Sequence, residues 1–503
     1  MDDNVESRLS LKALEYKLSG IKKLSSKQLK KNKNTYTLGG LTIDISRNFL
    51  NQEVLDDLFK LAKNLNLKKN ITKLAKNEYY SISEAKKVSH LYLRNSSSFK
   101  SSLGKMLKLY DLFIKRDTNS SKIKKVEYVI VVGIGGSIAG SKLLSQALSN
   151  YKINNLKTFY ISSADTTEID DALKECVLSK TLFIFCSKSF KTQEVILNLK
   201  YIREEALKEI DKTHLKDNFI AITSYKDAAL KMGFKNSRIL SFSNNIPGRF
   251  SLTSSIIFPV LLEIGKSNIK KFFDGVKLMD KHFCKKKYED NIPVILSLIS
   301  VWNINFLYKN ALCVCPYNYR LRNFADYLQQ QEMESNGKST DIQGNKIPFA
   351  TSPIIFGQRG TECQHSFFQM IHQGHVDISV DFIAALESKN NNSIKFLLSN
   401  LLAQAELCFS GKNTQKLYKK INGGTSSNII LLDSVNPETI GSLLSMYEHK
   451  IFTEGLLWNI NSFDQWGVEE GKISAKKILN IIKKKKDLKK ISKVLESLGK
   501  NTK

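Results

Sequence analysis

Residues 126–147, VEYVIVVGIGGSIAGSKLLSQA, decide the fold class of this chain. The run VEYVIVVG is rich in β-branched residues and predicts a buried strand. Gly133, Gly135 and Gly136 then mark a turn, and a helical stretch follows. Because the free N–H groups of a helix start point outward, such a turn is a ready site for an anion. The dinucleotide-binding motif G-x-G-x-x-G is not met, because Ile138 occupies its third glycine position.

The alternation of apolar runs and helical patterns continues along the chain. Further candidate strands lie at 158–162, 181–187, 218–223, 238–242, 311–317, 375–384 and 428–434. Strands that alternate with helices predict parallel pairing, with helices on both faces of the sheet. We therefore expect two consecutive α/β units, with a site in the crevice at the carboxyl ends of their strands. Residues 1–120 read instead as polar helices and loops.

Composition predicts a globular protein of the cytoplasm. The chain has 503 residues, of which 42% are hydrophobic, so it can bury a sizeable core. We find no secretory signal at the start and no apolar run of the ~18–20 residues that a membrane span needs. Seven dispersed cysteines do not suggest a disulfide framework. Buried free thiols are favoured over zinc, and Cys313 and Cys315 should share one face of a strand.

The net charge of +29 could indicate a nucleic-acid partner. However, the lysines are spread over the whole chain, and the clearest run, KKKKDLKK at 483–490, reads as a solvated helix. No aromatic-rich basic motif accompanies that run. We therefore expect no specific nucleic-acid binding, although a small anionic substrate would gain from the positive field.

A second candidate anion site is the segment SKSFKTQE at 187–194, which follows an apolar strand and opens a helix. Three hydroxyl residues and two lysines lie in this turn, which suits a phosphate monoester. Plain N-capping of the helix is the alternative interpretation. Capping explains one hydroxyl residue there, but not three together with Lys188 and Lys191.

Four further segments carry polar groups that could act in catalysis. PGRFS at 247–251 holds Arg249, which alone would be read as a surface residue. If the helix over 322–335 ends at Asn336-Gly337, then Gln330 and Glu334 lie four apart on one face. Glu334 would then be placed to act as a general base, although a solvated helix-end glutamate is the alternative.

The remaining two segments are CQHSFFQMIHQG at 363–374 and FDQWGVEEGK at 463–472. Helical spacing puts His365 and His372 on one face of the first. A metal site is disfavoured there, because no carboxylate stands between them as in H-E-x-x-H. In the second, Gln465 and Lys472 share a face only if the stretch is helical, and a packed turn is the alternative.

Together and in this order, the six segments resemble the phosphoglucose isomerase family. The matching motifs are GIGGS, SKSFKTQEV, PGRFS, MESNGK, CQHSFFQMIHQG and FDQWGVEEGK, spread over residues 133–472. A weaker match, EAKKVSHLYLR at 84–94, extends the likeness toward the N-terminus. The resemblance implies a helical N-terminal extension at 1–115, followed by two flavodoxin-like sugar-isomerase (SIS) α/β domains at 116–285 and 286–503. These domains would be three-layer αβα sandwiches, and the protein would be a homodimer.

The resemblance also implies roles for matching residues in the isomerisation of glucose 6-phosphate to fructose 6-phosphate. Glu334 would be the base that moves a proton between C2 and C1, and Arg249 would stabilise the enediolate. His365 and Lys472 would act in ring opening, with His365 reaching into the neighbouring subunit's site. The substrate-binding residues would be Gly136, Ser137, Ser187, Lys188, Ser189, Thr192, Gly248, Gln330 and Gln465. The reaction requires neither a redox cofactor nor a metal.

This sequence departs from the family pattern at Pro247, Cys363, Gln331-Glu332 and Lys191, without loss of a proposed functional group. Two other functions remain open at this point. One is an SIS-family isomerase acting on mannose 6-phosphate, and the other is a catalytically silent sugar-phosphate sensor. Retention of the implied base together with Arg249, His365 and Lys472 argues against the sensor, which would need no base.

Overall fold

Strands and helices alternate over most of the chain. The computed structural model describes residues 34–114, 125–387 and 390–483. The strands are β1 (Thr35–Leu38), β2 (Leu41–Arg47), β3 (Tyr80–Ser81), β4 (Lys86–Lys87), β5 (Tyr128–Val132), β6 (Lys157–Ile161), β7 (Thr181–Cys186), β8 (Phe219–Thr223), β9 (Ile239–Ser241), β10 (Ala311–Pro316), β11 (Ile354–Phe356), β12 (Ile378–Ala385) and β13 (Ser426–Leu432).

The helices differ widely in length. They are α1 (Gln52–Asn64), α2 (Leu67–Ala75), α3 (His90–Leu93), α4 (Ser97–Ile114), α5 (Ala139–Ala147), α6 (Thr166–Lys174), α7 (Gln193–Ala206), α8 (Lys212–Leu215), α9 (Lys226–Lys231), α10 (Phe258–Lys285), α11 (Ile292–Val301), α12 (Phe324–Leu328), α13 (Gly360–Gln364), α14 (Phe368–Gln373), α15 (Asn391–Ser410), α16 (Pro437–Leu457) and α17 (Trp466–Lys483). No helix in the described ranges is long and apolar enough to cross a membrane.

The first sheet contains five parallel strands in the order β6-β5-β7-β8-β9. All five were predicted from apolar runs, and the order is the flavodoxin-like one. Every residue of β7 and β8 is buried. Both faces of these strands are therefore covered, as parallel sheets require.

The strand order of the first sheet reverses between β5 and β7. The glycine turn at 133–137 follows β5, and the hydroxyl-rich turn at 187–192 follows β7. At such a switch point the connections leave in opposite directions and open a crevice at the carboxyl edge of the sheet. The topology therefore brings the two predicted anion-binding turns to the same edge.

The second sheet has the order β1-β2-β13-β12-β10-β11. Strands β10, β12 and β13 are parallel, as predicted, and β11, which was not predicted, pairs parallel with β10. By contrast, β2 pairs antiparallel with β13 and β1 pairs antiparallel with β2. Reading residues 1–120 as helices and loops alone was therefore wrong for β1 and β2. Their contribution follows from the period-two burial of Leu41–Arg47, in which alternate side chains enter the core.

Four buried cysteines lie in the core of the second α/β unit. The Sγ atoms of Cys313 and Cys315 lie 3.4 Å apart, which confirms that both face the same side of β10. The Sγ of Cys363 lies 3.6 Å from that of Cys315. Burial raises the pKa of the nearby Cys408 thiol to about 12. Such a thiol is protonated and weakly nucleophilic, as expected for a packing residue.

Helices α10 and α16 pack with their backbones in close contact. A Cβ atom on Gly275 would lie 1.8 Å from the carbonyl oxygen of Glu438, and one on Gly441 would lie 2.2 Å from that of Phe272. Only glycine fits at these two positions. The buried guanidinium of Arg94 also links these helices, because it donates hydrogen bonds to Asp280 of α10 and to Glu448 of α16.

The contacts divide the described residues into one compact unit that ends at Ser462 and a second that begins at Phe463. In the second unit α17 begins at Trp466, so most of the FDQWGVEEGK segment is helical. The expected boundary near residue 115 and residues 484–490 of the basic run lie outside the described residues. The three-domain division therefore stays a prediction.

Candidate active site

The turn at 187–192 forms a compact group of hydroxyls at the start of α7. The Oγ of Ser187 lies 3.2 Å from Oγ1 of Thr192 and accepts a hydrogen bond of 3.1 Å from the N–H of Phe190. The Oγ of Ser189 accepts from the N–H of Lys191 at 3.3 Å. Thr192 is the N-cap residue of α7, but its side chain does not cap the helix. Simple capping is therefore not what these hydroxyls do, and the first N–H groups of α7 can receive an anion.

Lys188 connects this turn to the segment that carries Arg249. Its Nζ donates a hydrogen bond of 2.8 Å to the carbonyl oxygen of Ile246. Its own backbone oxygen accepts from the N–H of Ser224 and the hydroxyl of Thr223. The side chain of Lys188 is thereby directed toward the turn at 246–249, while its backbone forms part of the hydroxyl-rich turn at 187–192.

The glycine turn after β5 lies directly against residues 247–251, which carry Arg249 and are called the arginine turn below. A Cβ atom on Gly136 would lie 2.4 Å from the carbonyl carbon and oxygen of Gly248, so no larger residue fits there. Gly135 has φ +54°, and a Cβ on it would lie 2.6 Å from Nε2 of Gln330. Ser137 follows in a short turn before α5. The contacts bring together three segments that lie far apart in the sequence.

Arg249 and Glu334 form the chemical centre of this region. Nη1 of the buried Arg249 lies 3.5 Å from Oε2 of Glu334, and Gln330 donates a hydrogen bond of 3.1 Å to the same oxygen. The predicted placement of Gln330 and Glu334 on one helix face is confirmed. The helix carrying them is α-helical over Phe324–Leu328, π-helical over Gln329–Glu334, and ends after residue 336. π-Helical turns are rare and are often found at functional sites.

Two serines that the sequence analysis did not single out fix the position of Arg249. Its Nε donates to Oγ of Ser335, and its Nη2 donates to the carbonyl oxygen of Ser462, each at 2.6 Å. Ser335 directly follows the predicted base, Glu334, in MESNGK, and this position could have identified it from the sequence. Nothing in the local sequence identifies Ser462 as a partner, because its contribution is a backbone oxygen.

A small pocket opens between these segments. Its lining residues come from the glycine turn, the start of α5, the segment that carries Arg249 and the helix that carries Glu334, namely Gly136, Ala139, Gly140, Arg249, Leu252, Tyr327, Gln330 and Gln331. Arg249 and Gln330, which both approach the carboxylate of Glu334, are thus exposed to this pocket.

A buried polar network lies behind the base. The amide of Asn336 donates to Oε1 of Glu332 at 3.1 Å and to the carbonyl oxygen of Ile451 at 3.0 Å. Lys450 forms ion pairs with Glu332 at 3.2 Å and with Glu454 at 2.6 Å. Burial and the neighbouring Glu332 raise the pKa of Glu454 well above its usual range. The network holds the end of the helix that carries Glu334, and Glu332 is one of the departures from the family pattern.

The segment around His365 does not form one helix. Helix α13 ends at Gln364, His365 caps it, and α14 begins at Phe368. The prediction that His365 and His372 share a helical face is therefore wrong. The break lets the adjacent Phe367 and Phe368 both pack inward, with rings 5.2 Å from Phe356 and 6.3 Å from Phe382, respectively. Successive residues of a continuous helix would point about 100° apart.

The two histidines have different environments. His372 is held by Gln404, with Nε2 2.7 Å from Oε1. The side chain of His365 is exposed, and within the described ranges its imidazole makes no hydrogen bond. His365 is therefore available to a group outside this subunit.

Gln465 and Lys472 belong to the second unit. Gln465 directly precedes α17, where its backbone oxygen accepts from the N–H groups of Val468 and Glu469. Lys472 is exposed and pairs with Glu469 at 2.9 Å. Trp466 and Val468 are both exposed. The expected roles of Gln465 and Lys472 stay predictions.

Comparisons with known proteins agree over nearly the full length of the chain. The sequence model of the family described as phosphoglucose isomerase matches residues 44–498. Glucose-6-phosphate isomerase of Campylobacter jejuni subsp. doylei is 36% identical over 480 residues, 88% of each chain. The enzyme of the same name from Helicobacter pylori strain P12 is 36% identical over 477 residues, also 88% of each chain. A crystal structure of a glucose-6-phosphate isomerase from Chlamydia trachomatis matches with a TM-score of 0.85 and 28% identity, over 98% of this chain and 99% of that one.

Proposed function

The chain belongs to the phosphoglucose isomerase family, and on that premise we propose that it interconverts glucose 6-phosphate and fructose 6-phosphate. This aldose–ketose isomerisation is a step of glycolysis and gluconeogenesis. The observation that carries the proposal is the 3.5 Å approach of Arg249 to Glu334. A base and a cation that can stabilise an oxyanion thus lie side by side, beside the turns that suit a phosphate.

The phosphate end of the substrate is proposed to bind at the start of α7. Ser187, Ser189 and Thr192 would donate hydroxyl hydrogens there, together with the free N–H groups of the helix. Ser137 and the backbones of Gly136 and Gly248 would line the same crevice, and the family resemblance assigns Gln465 a role in substrate binding. Binding energy from this remote group can hold C1 and C2 against the base.

Glu334 is proposed to move the proton. In open-chain glucose 6-phosphate it would take the proton from C2, which leaves an enediolate with negative charge on oxygen. Transfer of the O2 hydroxyl proton to O1 and return of the abstracted proton to C1 then give the ketose, with its carbonyl group at C2. Arg249 faces the same position, and a fixed cation there stabilises charge that develops only in the transition state. Gln330 would keep the carboxylate oriented through its hydrogen bond.

Ring opening requires a group that protonates the ring oxygen. We assign this step to His365 and Lys472. The exposure of His365 and its lack of a hydrogen bond within the described ranges support a role across a homodimer interface. We also propose that the enzyme works in the cytoplasm, where the phosphosugars of glycolysis are found.

The activity can be tested with a coupled dehydrogenase assay. Purified protein should convert fructose 6-phosphate to glucose 6-phosphate with no added cofactor and in the presence of a chelator. A parallel assay with mannose 6-phosphate distinguishes the related isomerase. Absence of turnover with fructose 6-phosphate would reject the proposal.

The shared site needs a test of its own. Mixed dimers of Glu334→Gln and His365→Ala subunits should recover part of the activity, because one of the two sites then holds both intact groups. Subunits carrying different affinity tags allow the heterodimer to be isolated. If confirmed heterodimers stay inactive, His365 does not act across the interface.

A further inference from the structure

The N-terminal hairpin β3–β4 carries a part-buried ion pair that the proposed mechanism does not use. The pair joins Nζ of Lys86 to the carboxylate of Glu84, with side chains 25% and 16% exposed, respectively. The next lysine, Lys87, is exposed. Burying a lysine stem and its charge near other cations costs free energy, so the placement of Lys86 needs a reason.

Contacts on both sides hold this hairpin against the arginine turn. The amide of Asn461 donates to Oγ of Ser81 at 2.8 Å and to Oγ of Ser83 at 2.7 Å. The N–H of Ser89, just beyond β4, donates to the carbonyl oxygen of Asn245 at 3.0 Å. The next residue, Ile246, accepts the hydrogen bond from Lys188. The chain just beyond the hairpin and the side chain of Lys188 therefore contact adjacent residues, Asn245 and Ile246.

Three other charged groups influence the pKa of Lys188. Burial, the largest influence, and the neighbouring Lys86 lower the pKa of Lys188 to about 8. Arg249 also lowers this pKa, and Glu84 raises it. The charged groups that act on Lys188 are thus Lys86 and Glu84 on the hairpin and Arg249 on the turn.

Three cationic side chains, Lys86, Lys188 and Arg249, lie in this region. Lys86 pairs with Glu84, Arg249 lies 3.5 Å from Glu334, and Lys188 donates to the carbonyl oxygen of Ile246. A crevice lined by several cations and by low-dielectric walls attracts an anion, and the anion in turn favours the charged form of the lysine.

We propose that Lys86 is a further substrate-binding residue, which together with Lys188 receives the negative charge of the sugar phosphate and of its enediolate. Glu84 orients Lys86 for this purpose. The inference rests on the proposed function and extends it to a hairpin that lies more than 40 residues before the first strand of the α/β units.

The test combines kinetics with binding of sorbitol 6-phosphate, an open-chain phosphosugar that lacks a carbonyl group and cannot isomerise. In the wild type, kcat/KM and this affinity should both fall above about pH 8, because the free protein then loses the charge of Lys188. In Lys86→Met the dissociation constant and KM should rise roughly three- to tenfold at pH 7. The alkaline fall should also move to higher pH, because the repulsion of Lys188 is gone.

Three further variants extend the test. Glu84→Gln should move the alkaline fall to lower pH, since the carboxylate raises the pKa of Lys188. Lys86→Arg retains the positive charge and should bind sorbitol 6-phosphate more tightly than Lys86→Met. Lys87→Met removes the same charge from the adjacent exposed position and should change neither the affinity nor the pH profile, which makes it the matched control.

The outcomes separate this inference from the proposed function. An active wild type with an unchanged profile and affinity in Lys86→Met overturns the role of Lys86 and leaves the isomerase intact. Binding that is weakened equally at every pH, or that Lys86→Arg does not restore, indicates a loosened hairpin. Either result also overturns the role of Lys86. Lys86-dependent binding without turnover would reject the isomerase and keep Lys86 as an anion-binding residue.

Discussion

Replacing Arg249 by lysine should disable catalysis while preserving the positive charge. The interactions of the guanidinium include three in different directions: Nε to Ser335, Nη2 to the carbonyl oxygen of Ser462, and Nη1 toward Glu334 at 3.5 Å. A lysine ammonium is one compact centre and cannot reach all three positions. We expect it to follow one acceptor and to leave the enediolate position.

The magnitude follows from what is lost. Removal of one preorganised donor at a developing oxyanion lowers kcat by about 10²–10³-fold, or roughly 3–4 kcal/mol. Losing one or two hydrogen bonds of a buried charged donor should also lower the free energy of unfolding by about 2–4 kcal/mol. KM should change less than kcat, because the proposed phosphate contacts remain.

The assay is the coupled dehydrogenase reaction, together with urea unfolding. The matched control is Arg203→Lys in the last turn of α7, where the guanidinium donates to the carbonyl oxygen of Met232. Position 203 lies 11 residues beyond the hydroxyl turn, about 16 Å along the helix. A kcat for Arg249→Lys within threefold of the wild type, in a folded protein, would refute the reasoning.

Three other changes test the surroundings of the site. Ser335→Ala removes the acceptor of Arg249 Nε, so kcat should fall about tenfold and the unfolding free energy by about 1.5–3 kcal/mol; normal kinetics would show that Ser335 does not position the arginine. Gly136→Ala brings a Cβ within 2.4 Å of the Gly248 backbone and should lower kcat/KM about 10²-fold, whereas Gly104→Ala, whose Cβ meets nothing within 4 Å, should leave it unchanged. Lys450→Met leaves the carboxylates of Glu332 and Glu454 buried without their cation, so urea unfolding at pH 7 should show a loss of about 3–5 kcal/mol. Because burial raises the pKa of Glu454, that loss should shrink as the pH falls and the carboxyl is protonated, and a loss independent of pH would contradict this origin.

The α/β framework could be predicted because its signals are local. Each strand of the first sheet is an apolar run bounded by turn residues, and its order follows from short right-handed connections. The two anion-binding turns could be found for the same reason, since each directly follows a strand. The pairing of Gln330 with Glu334 required only helical spacing.

Other features depend on contacts between distant segments. Leu41–Arg47 has the alternation of a strand, but nothing in it indicates that its partner is β13, more than 370 residues later. The support of Arg249 by Ser462 spans 213 residues and uses a backbone oxygen. The break after Gln364 arises because two adjacent phenylalanines pack in one core, and helical spacing alone does not predict such a break.

The central claim is that one carboxylate, Glu334, carries a proton between C1 and C2 of the sugar. Conversion of fructose 6-phosphate in deuterated water, followed by NMR of the glucose 6-phosphate formed, tests it most directly. The account predicts deuterium at C2 in part of the product of the wild type. In Glu334→Gln it predicts loss of both turnover and exchange, with sorbitol 6-phosphate still bound. Turnover and exchange at the wild-type rate in that variant would contradict the account.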